Sequence, residues 1–327
     1  MIKVFAKAIN LPDRWNNIFA DNSYMSKENL DILEGCNPCC QKYVIINDRS
    51  AFIVYELKLN IFSYSSMDFN LRVNIIGIPC SVSKQGYKIE AADIKELENY
   101  IKREKKSCII LNSDHSFLSK HLILGETLPT CRLSVLWDSL DNYMLNLRSH
   151  YRYRLSSAFK KGEKIIIKKL DDDTMFDQSL YVLYENVYAK SNYKLEKLSI
   201  DFFRRMPTDI YVFYIEDKSV AFVQLSGNDR ELSFVFGGID YALNHQYDLY
   251  MNMLAFILRH GIENKYLSID MGQTAEDAKM KFGCSQYKKY MHIYHPNFII
   301  RFLIRVFSKK LSYKPLRLKF KLFKEEN

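Results

Sequence analysis

The chain has 327 residues, too many for one ordinary hydrophobic core and suited to two domains of roughly 150 residues each. Its 48% hydrophobic and 26% charged residues, with only 11 Gly and 7 Pro, exclude a disordered, collagen-like or linker-rich chain. The net charge of +9 is uneven. Residues 148–169 hold eight Lys/Arg against Glu163, and residues 298–327 hold nine against Glu325 and Glu326, so each segment carries +7 and the remainder −5. That distribution disfavours a general nucleic-acid coat and points to two local anion-facing patches.

Seven cysteines without an apolar signal segment at the N-terminus suggest a reduced, cytoplasmic interior. Cys36-Asn37-Pro38-Cys39-Cys40 has no second pair at zinc spacing, so it reads as a loop of small residues and no metal is expected. No uncharged apolar run reaches the roughly 18 residues of a spanning helix.

In chain order, a strand is expected over Lys3–Ile9, then helical pieces around Trp15 and from Ser26 to Glu34, with Ser26 as the start signal. Lys42–Ile46 and Ala51–Phe62 read as strands joined by the turn Asn47-Asp48-Arg49-Ser50, and Leu71–Ile76 as a third. Ala91, Ile94, Leu97 and Ile101 recur at helical spacing, Cys108–Leu111 reads as a strand, and Cys131–Leu136 closes the first half. A long helix begins near Asp138, with Leu147, Tyr151, Leu155 and Ala158 on one face and Gly162 as its stop. The second half repeats the order: a strand over Lys164–Leu170 and helices over Met175–Ser191 and Ile200–Met206. A meander follows over Ile210–Glu216, Val220–Ser226 and Glu231–Phe236, turning at Asp217-Lys218 and Gly227-Asn228-Asp229. The remainder is a helix over Gln246–Glu263, a strand over Tyr266–Asp270, a short helix over Ala275–Phe282 and a strand over Tyr287–Tyr294.

Two segments carry a resemblance. Leu147-Arg148-Ser149-His150-Tyr151-Arg152-Tyr153-Arg154 with Ala158-Phe159-Lys160-Lys161-Gly162 is similar to the basic helix opening the catalytic half of Fem-like members of the GNAT acyltransferase superfamily. Ile269-Asp270-Met271-Gly272-Gln273-Thr274 followed by Ala278-Lys279-Met280-Lys281-Phe282-Gly283 resembles their strand–Gly–helix segment, with a Lys four residues before a Gly. The likeness covers residues 138–295 well and 1–137 only by element order. It implies an α/β fold with mixed sheets: a degenerate GNAT-like domain at 1–137, a catalytic GNAT-like domain at 138–297 and a basic amphipathic tail at 298–327. It also implies acyl transfer to an amine, from acyl-CoA or from aminoacyl-tRNA. The lack of a long heptad run for a tRNA-binding arm favours coenzyme A; a non-catalytic envelope-binding module is the reading from another class.

Such transfer needs an activated donor held beside the amine and a polarised carbonyl. The resemblance places the carbonyl along the strand Glu231–Phe236 and the donor phosphates at the N-terminus of the next helix. Phe236, Gly237 and Gly238 are therefore expected to bind the donor, as a Gly-rich loop ending in the unusual Asp240; Gln273, Thr274 and Lys281 join them. Lys279 is the expected catalytic cation or acid. Asp270 either deprotonates the amine or caps the helix from Ala275, as Thr274 also suits. Tyr250 either points its hydroxyl into the cleft or lies in the core. Arg148, Tyr151, Arg152 and Arg154, with Asp240, are expected to bind substrate, Arg148 and Arg152 sharing one helix face.

From Phe298 to Phe307 apolar residues alternate with Arg301 and Arg305, extended by Lys309, at helical spacing. This reads as an interfacial helix on an anionic membrane surface, serving a small-molecule or lipid-linked amine acceptor. The plainer reading packs the helix on the first domain. Deletion of residues 298–327 is then expected to release the protein from anionic vesicles.

Overall fold

The computed structural model describes residues 1–60, 70–80, 82–114, 121–317 and 320–324. In chain order its elements are β1 (Ile2–Phe5), α1 (Arg14–Ile18), α2 (Lys27–Cys36), β2 (Lys42–Ile46), β3 (Ser50–Asn60), β4 (Asn70–Ile76), β5 (Tyr87–Lys88), α3 (Ile94–Arg103), β6 (Cys108–Ser113) and β7 (Ile123–Ser134). Then come α4 (Leu140–Asn146), α5 (Ser149–Lys161), β8 (Ile166–Lys169), α6 (Gln178–Lys190), α7 (Ile200–Arg205), β9 (Asp209–Ile215), β10 (Lys218–Gly227) and β11 (Glu231–Ile239). The chain ends with α8 (Tyr241–Tyr247), α9 (Leu249–Glu263), β12 (Ser268–Asp270), α10 (Glu276–Met280), β13 (Ser285–Tyr294) and α11 (Phe298–Leu311). Two compact units divide the chain: residues 1–128, 192–202 and 288–314 form one, and residues 129–191, 203–287 and 315–327 the other.

In the first unit β1, β2, β3, β4 and β6 follow one another across the sheet, β5 pairs with β3, and β13 pairs antiparallel with β6. Ser26 caps α2 by accepting the Asn29 amide at 3.3 Å, as its sequence signal indicates. Asn47 and Asp48 both take left-handed φ (48° and 59°), the geometry of a tight hairpin turn between β2 and β3. The expected strand over Lys3–Ile9 stops at Phe5, because the Ala8 amide donates to Glu34 at 2.7 Å. The last residues of the expected strand Ala51–Phe62 lie outside the described residues. Leu97, Tyr100 and Ile101 bury one face of α3 against Val44, Phe52 and Ile110.

Asp93 ties this unit's hairpin turn to α3. Its fully buried carboxylate accepts from Asn47 (2.8 Å), Arg49 (2.9 Å) and Ser50 (2.7 Å). The Arg49 guanidinium, with the Ser50 and Asn47 hydrogen bonds, holds its pKa well below the usual carboxylate range. A depressed folded-state pKa contributes stability above the unfolded value, near pH 4, and loses it as pH falls through that value and below. Asp93→Asn is therefore expected to cost about 2 kcal/mol at pH 7 and less at pH 3. Parallel urea titrations at the two pH values check this.

In the second unit the sheet runs β7, β12, β11, β10, β9, β8. Helix α9 buries Met253, Leu254, Ile257 and Leu258, and Gly261 lets it lie close, since a Cβ there would sit 2.4 Å from Ile269. The residues at 129–134, expected to close the first half, pair antiparallel with β12 and complete this sheet. Those at 290–294, expected to end the second half, complete the other. Each unit thus takes its last strand from the half of the sequence that otherwise builds the other.

Two expected helices are broken. The helix from Asp138 divides into α4 and α5 because Leu147 and Arg148 are extended (ψ 142° and 149°) and pair with the tail. Arg148 N–H donates to Leu322 O at 2.8 Å, Lys324 N–H to Asn146 O at 2.9 Å, and Leu147 bridges Phe323. The helix over Gln246–Glu263 divides at Asp248, which is left-handed (φ 45°), leaving α8 and α9. The tail is likewise not one surface extension: Leu322 is buried, and Phe323 packs on Trp137 and Tyr143. Leu318, Lys319 and residues 325–327 lie outside the described residues.

All seven cysteines are free, and only Cys40 is exposed. Burial pushes the Cys39 and Cys108 thiols up to about 12 and Cys131 up to about 11, which suppresses the reactive thiolate. A thiol-reactive dye is expected to label one cysteine of the native protein and all seven after unfolding; peptide mapping should place the native label at Cys40.

Candidate functional site

The site forms where two neighbouring strands of the second unit part. β11 pairs in parallel with β12 over three residues only, Glu231–Ser233 against Ser268–Asp270. The chain after β12 stays with β7: Met271 N–H donates to Cys131 O at 2.8 Å, and Cys131 N–H donates to Gly272 O at 3.1 Å. β11 stays with β10 to Ile239 and extrudes Val235 as a bulge, since Leu225 faces Phe234 while Gln224 faces Phe236. Asp240 N–H donates to Val220 O at 2.8 Å on the β10 side. Because successive amides point to opposite edges of a strand, Gly237 and Ile239 direct their N–H groups to the edge that β12 has left. A splayed groove with backbone donors along one wall results. Asn186 closes its far end by donating to Ile239 O at 3.3 Å, and Phe236 packs on Tyr184 and Phe203.

Gly237 and Gly238 were expected in a loop; both lie inside β11. Packing requires them there. A Cβ on Gly238 would stand 2.2 Å from the Phe222 ring and 2.7 Å from Leu183 Cβ of α6, and one on Gly237 would stand 3.0 Å from Met253.

The opposite wall is the turn after β12. Asp270, 2% exposed, accepts the Thr130 hydroxyl at 2.5 Å and the Gly272 amide at 2.9 Å, and its other oxygen lies 3.5 Å from Arg132 Nε. It therefore holds the left-handed Gly272 (φ 73°) rather than capping α10. Thr274 does not cap α10 either: Thr274 and Ala275 are both left-handed, and Ala275 precedes the helix without a side-chain cap. Lys279 is buried, its ammonium donating to Gln273 O at 2.8 Å and Gly272 O at 3.2 Å. Burial lowers its pKa, against the opposing pull of Cys131, Cys284, Asp270 and Glu276. Tyr250 opens α9 with its amide donated to Asn244 Oδ1 at 2.9 Å. Burial, chiefly, and then the nearby Cys131 raise its phenol well above the usual range. Asp270 and Lys279 thus meet at Gly272, one accepting its amide and the other donating to its carbonyl.

The donor-phosphate position is different. No Gly-rich loop joins β11 to the next helix. Asp240 caps α8 directly, accepting from Ala242 N–H at 3.0 Å and pairing with Lys218 at 3.2 Å. Asn244 occupies the Tyr250 amide, and the Asp248 carboxylate stands at the start of α9, paired with Lys161 at 3.0 Å. The first turns of α8 and α9 thus each have an amide already taken by a side chain of this protein, Ala242 by Asp240 and Tyr250 by Asn244.

The basic helix is also divided in use. Arg148 is the N-cap residue of α5 and its Nε donates to Phe323 O of the tail at 3.0 Å, while Arg152, one turn on, is half-buried. Tyr151 and Arg154 meet Lys281 and Met251 around a small surface cleft. Lys281 also pairs with Asp277 and lies 5.6 Å from the Phe320 ring. Thr130, Arg132, Asn186 and Asn244 escaped sequence reasoning. Thr130 and Arg132 flank Cys131 at strand alternation, a signal hidden by assigning that strand to the first half.

Residues 146–289 match the family described as Acetyltransferase (GNAT) domain. No curated protein matches the chain. Similar solved structures include L-PGS from Bacillus licheniformis (10% identity, TM-score 0.58, covering 93% of this chain and 97% of that one). The C-terminal domain of a putative lysylphosphatidylglycerol synthetase from Agrobacterium fabrum is also similar (12%, 0.58, 90% and 93%). A conserved protein of unknown function from Bacteroides thetaiotaomicron is a third (13%, 0.55, 90% and 100%). At these identities the likeness concerns the fold.

Proposed function

We propose that this protein, whose residues 146–289 match the GNAT acetyltransferase domain family, moves an acyl or aminoacyl group from an activated ester or thioester to an amine by direct attack. The divergence of β11 from β12 after Ser233 carries the reading. The donor carbonyl lies along β11, its oxygen at the Gly237 and Ile239 N–H groups, preset donors that strengthen as negative charge develops. The acceptor amine, of a small molecule or a lipid-linked or envelope precursor, enters from the Gly272 side. Tyr250, its phenol raised by burial, gives its proton to the leaving oxygen or sulfur as the bond to the carbonyl breaks, and regains one through solvent from the proton the attacking amine releases. Lys279 is a fixed cation beneath the turn, and Asp270 positions that turn. Arg154 and Lys281, with Tyr151, hold an anionic part of the substrate. Seven free thiols suit a reducing compartment.

The capped start of α9 favours an aminoacyl ester such as aminoacyl-tRNA over acyl-CoA. Incubating the protein with each donor and a panel of amines, with mass-spectrometric detection of the product, tests the assignment. Aminoacyl product with deacylated tRNA is expected. Product from acyl-CoA alone reverses the donor choice, and turnover of neither leaves the non-catalytic module and overturns the enzyme reading. Arg154→Ala with Lys281→Ala is expected to raise KM about tenfold or more while leaving kcat close to its original value.

A further inference from the structure

We propose that α11 is an interfacial helix that lays this protein on an anionic lipid bilayer, an inference independent of the acyl-transfer reading. Asn297 caps the helix by accepting the Ile299 and Ile300 amides at 2.9 and 3.2 Å, and none of its 14 residues is buried. A helix on a water-soluble body turns its apolar stripe inward; α11 does the opposite. The side turned towards the protein carries Arg301, Ile304, Ser308 and Leu311, all half-buried. Arg301 donates to His295 O at 3.3 Å and lies 5.5 Å from the Tyr294 ring. Ser308 O accepts the Ser312 hydroxyl at 2.8 Å, and Ser312 in turn accepts the Glu126 amide.

The outward side carries Phe298, Ile299, Phe302, Leu303, Val306 and Phe307, each between 45% and 71% exposed. Arg305 borders this stripe, and Lys309 and Lys310 continue its arc at the C-terminal end, Lys310 6.0 Å from the Phe307 ring, all exposed, while no Asp or Glu occurs from Phe298 to Lys324. Charge selects the occupant. A second copy seated on this stripe would bring like cations together, whereas an anionic bilayer offers acyl chains to the stripe and headgroups to its flanks. The helix spans about 21 Å, and no described helix is long and apolar enough to cross a membrane, so α11 lies along the surface.

The test is flotation of the full-length protein with vesicles of phosphatidylcholine alone and of phosphatidylcholine mixed with phosphatidylglycerol. Deleting residues 298–327 would also strip Leu322 and Phe323 from the second unit's packing, so point substitutions on the exposed stripe are used. Binding to the mixed vesicles is expected, at least about tenfold stronger than to neutral ones. Phe302→Glu with Val306→Glu is expected to weaken it at least about tenfold without moving the melting temperature, because both side chains leave the acyl region. Lys309→Glu with Lys310→Glu is expected to remove the preference for the anionic mixture. Failure of the unaltered protein to bind overturns the proposal, as does unchanged binding by the Phe302/Val306 variant. A concentration-dependent dimer in sedimentation, dissolved by the same glutamates without any vesicle binding, overturns it in favour of a second copy.

Discussion

Replacing Asp270 by alanine is expected to lower stability by about 3–5 kcal/mol, the scale for removing one partner from a buried charged network, and to abolish transfer. The carboxylate serves three groups at once: the Thr130 hydroxyl, the Gly272 amide and Arg132. Alanine leaves the Arg132 cation, itself also 3.7 Å from Glu231, without its buried counter-ion. It also frees Gly272, whose left-handed φ of 73° sets where the chain leaves β11. Asp270→Asn keeps an oxygen for Thr130 and Gly272 and loses chiefly the ion pair, so about 1–2 kcal/mol is expected. The two variants also separate a positioning residue from a base. Positioning predicts that the asparagine enzyme keeps about a tenth or more of kcat with an unshifted acid limb of its pH profile. If asparagine and alanine lose turnover equally and the acid limb disappears, Asp270 takes the proton itself. Urea unfolding with steady-state kinetics on the three proteins decides between them.

The second large effect belongs to Gly238. Alanine there would place a methyl 2.2 Å from one Phe222 ring carbon and 2.7 Å from another, and 2.7 Å from Leu183 Cβ. The ring can rotate only into neighbours, since Phe222 is fully buried against Phe176 and Phe203. Leu183 Cβ moves only if α6 withdraws from β11. Overpacking of this kind costs about 1–3 kcal/mol, occasionally more, and about 3 kcal/mol is expected for Gly238→Ala. Withdrawal of α6 would also break the Asn186 hydrogen bond to Ile239 that closes the groove, so turnover is expected to fall with stability. A melting temperature within a degree or two of the original would refute the packing account of this glycine. Gly237→Ala, whose Cβ would meet Met253, Phe234 and Phe222 O at 3.0–3.1 Å, is expected to be milder because Met253 is flexible at its end.

Local patterns were legible because local forces write them. The Ser26 cap, the α3 face and the β9–β10–β11 meander all depend on residues within a few positions of one another. Lys279 was also legible as a residue of consequence. Its inward aim was not, because its acceptors are carbonyls of a turn that exists only once β12 and α10 are placed. The breaks at Leu147–Arg148 and Asp248 were hidden for a similar reason. Helical spacing continues through the first, and a tail segment some 175 residues away takes the Arg148 hydrogen bonds.

The sequence by itself determined the order of strands and helices in the second half, the two cationic segments and the residue types around the groove, because periodicity, caps and charge are properties of neighbours along the chain. Only the tertiary structure decided which half each closing strand completes, that Gly237 and Gly238 lie in a strand, and that α11 turns its apolar stripe away from the protein. Strand partners, close approach and the direction of a face are set by contacts between residues distant in sequence, and no local pattern encodes them.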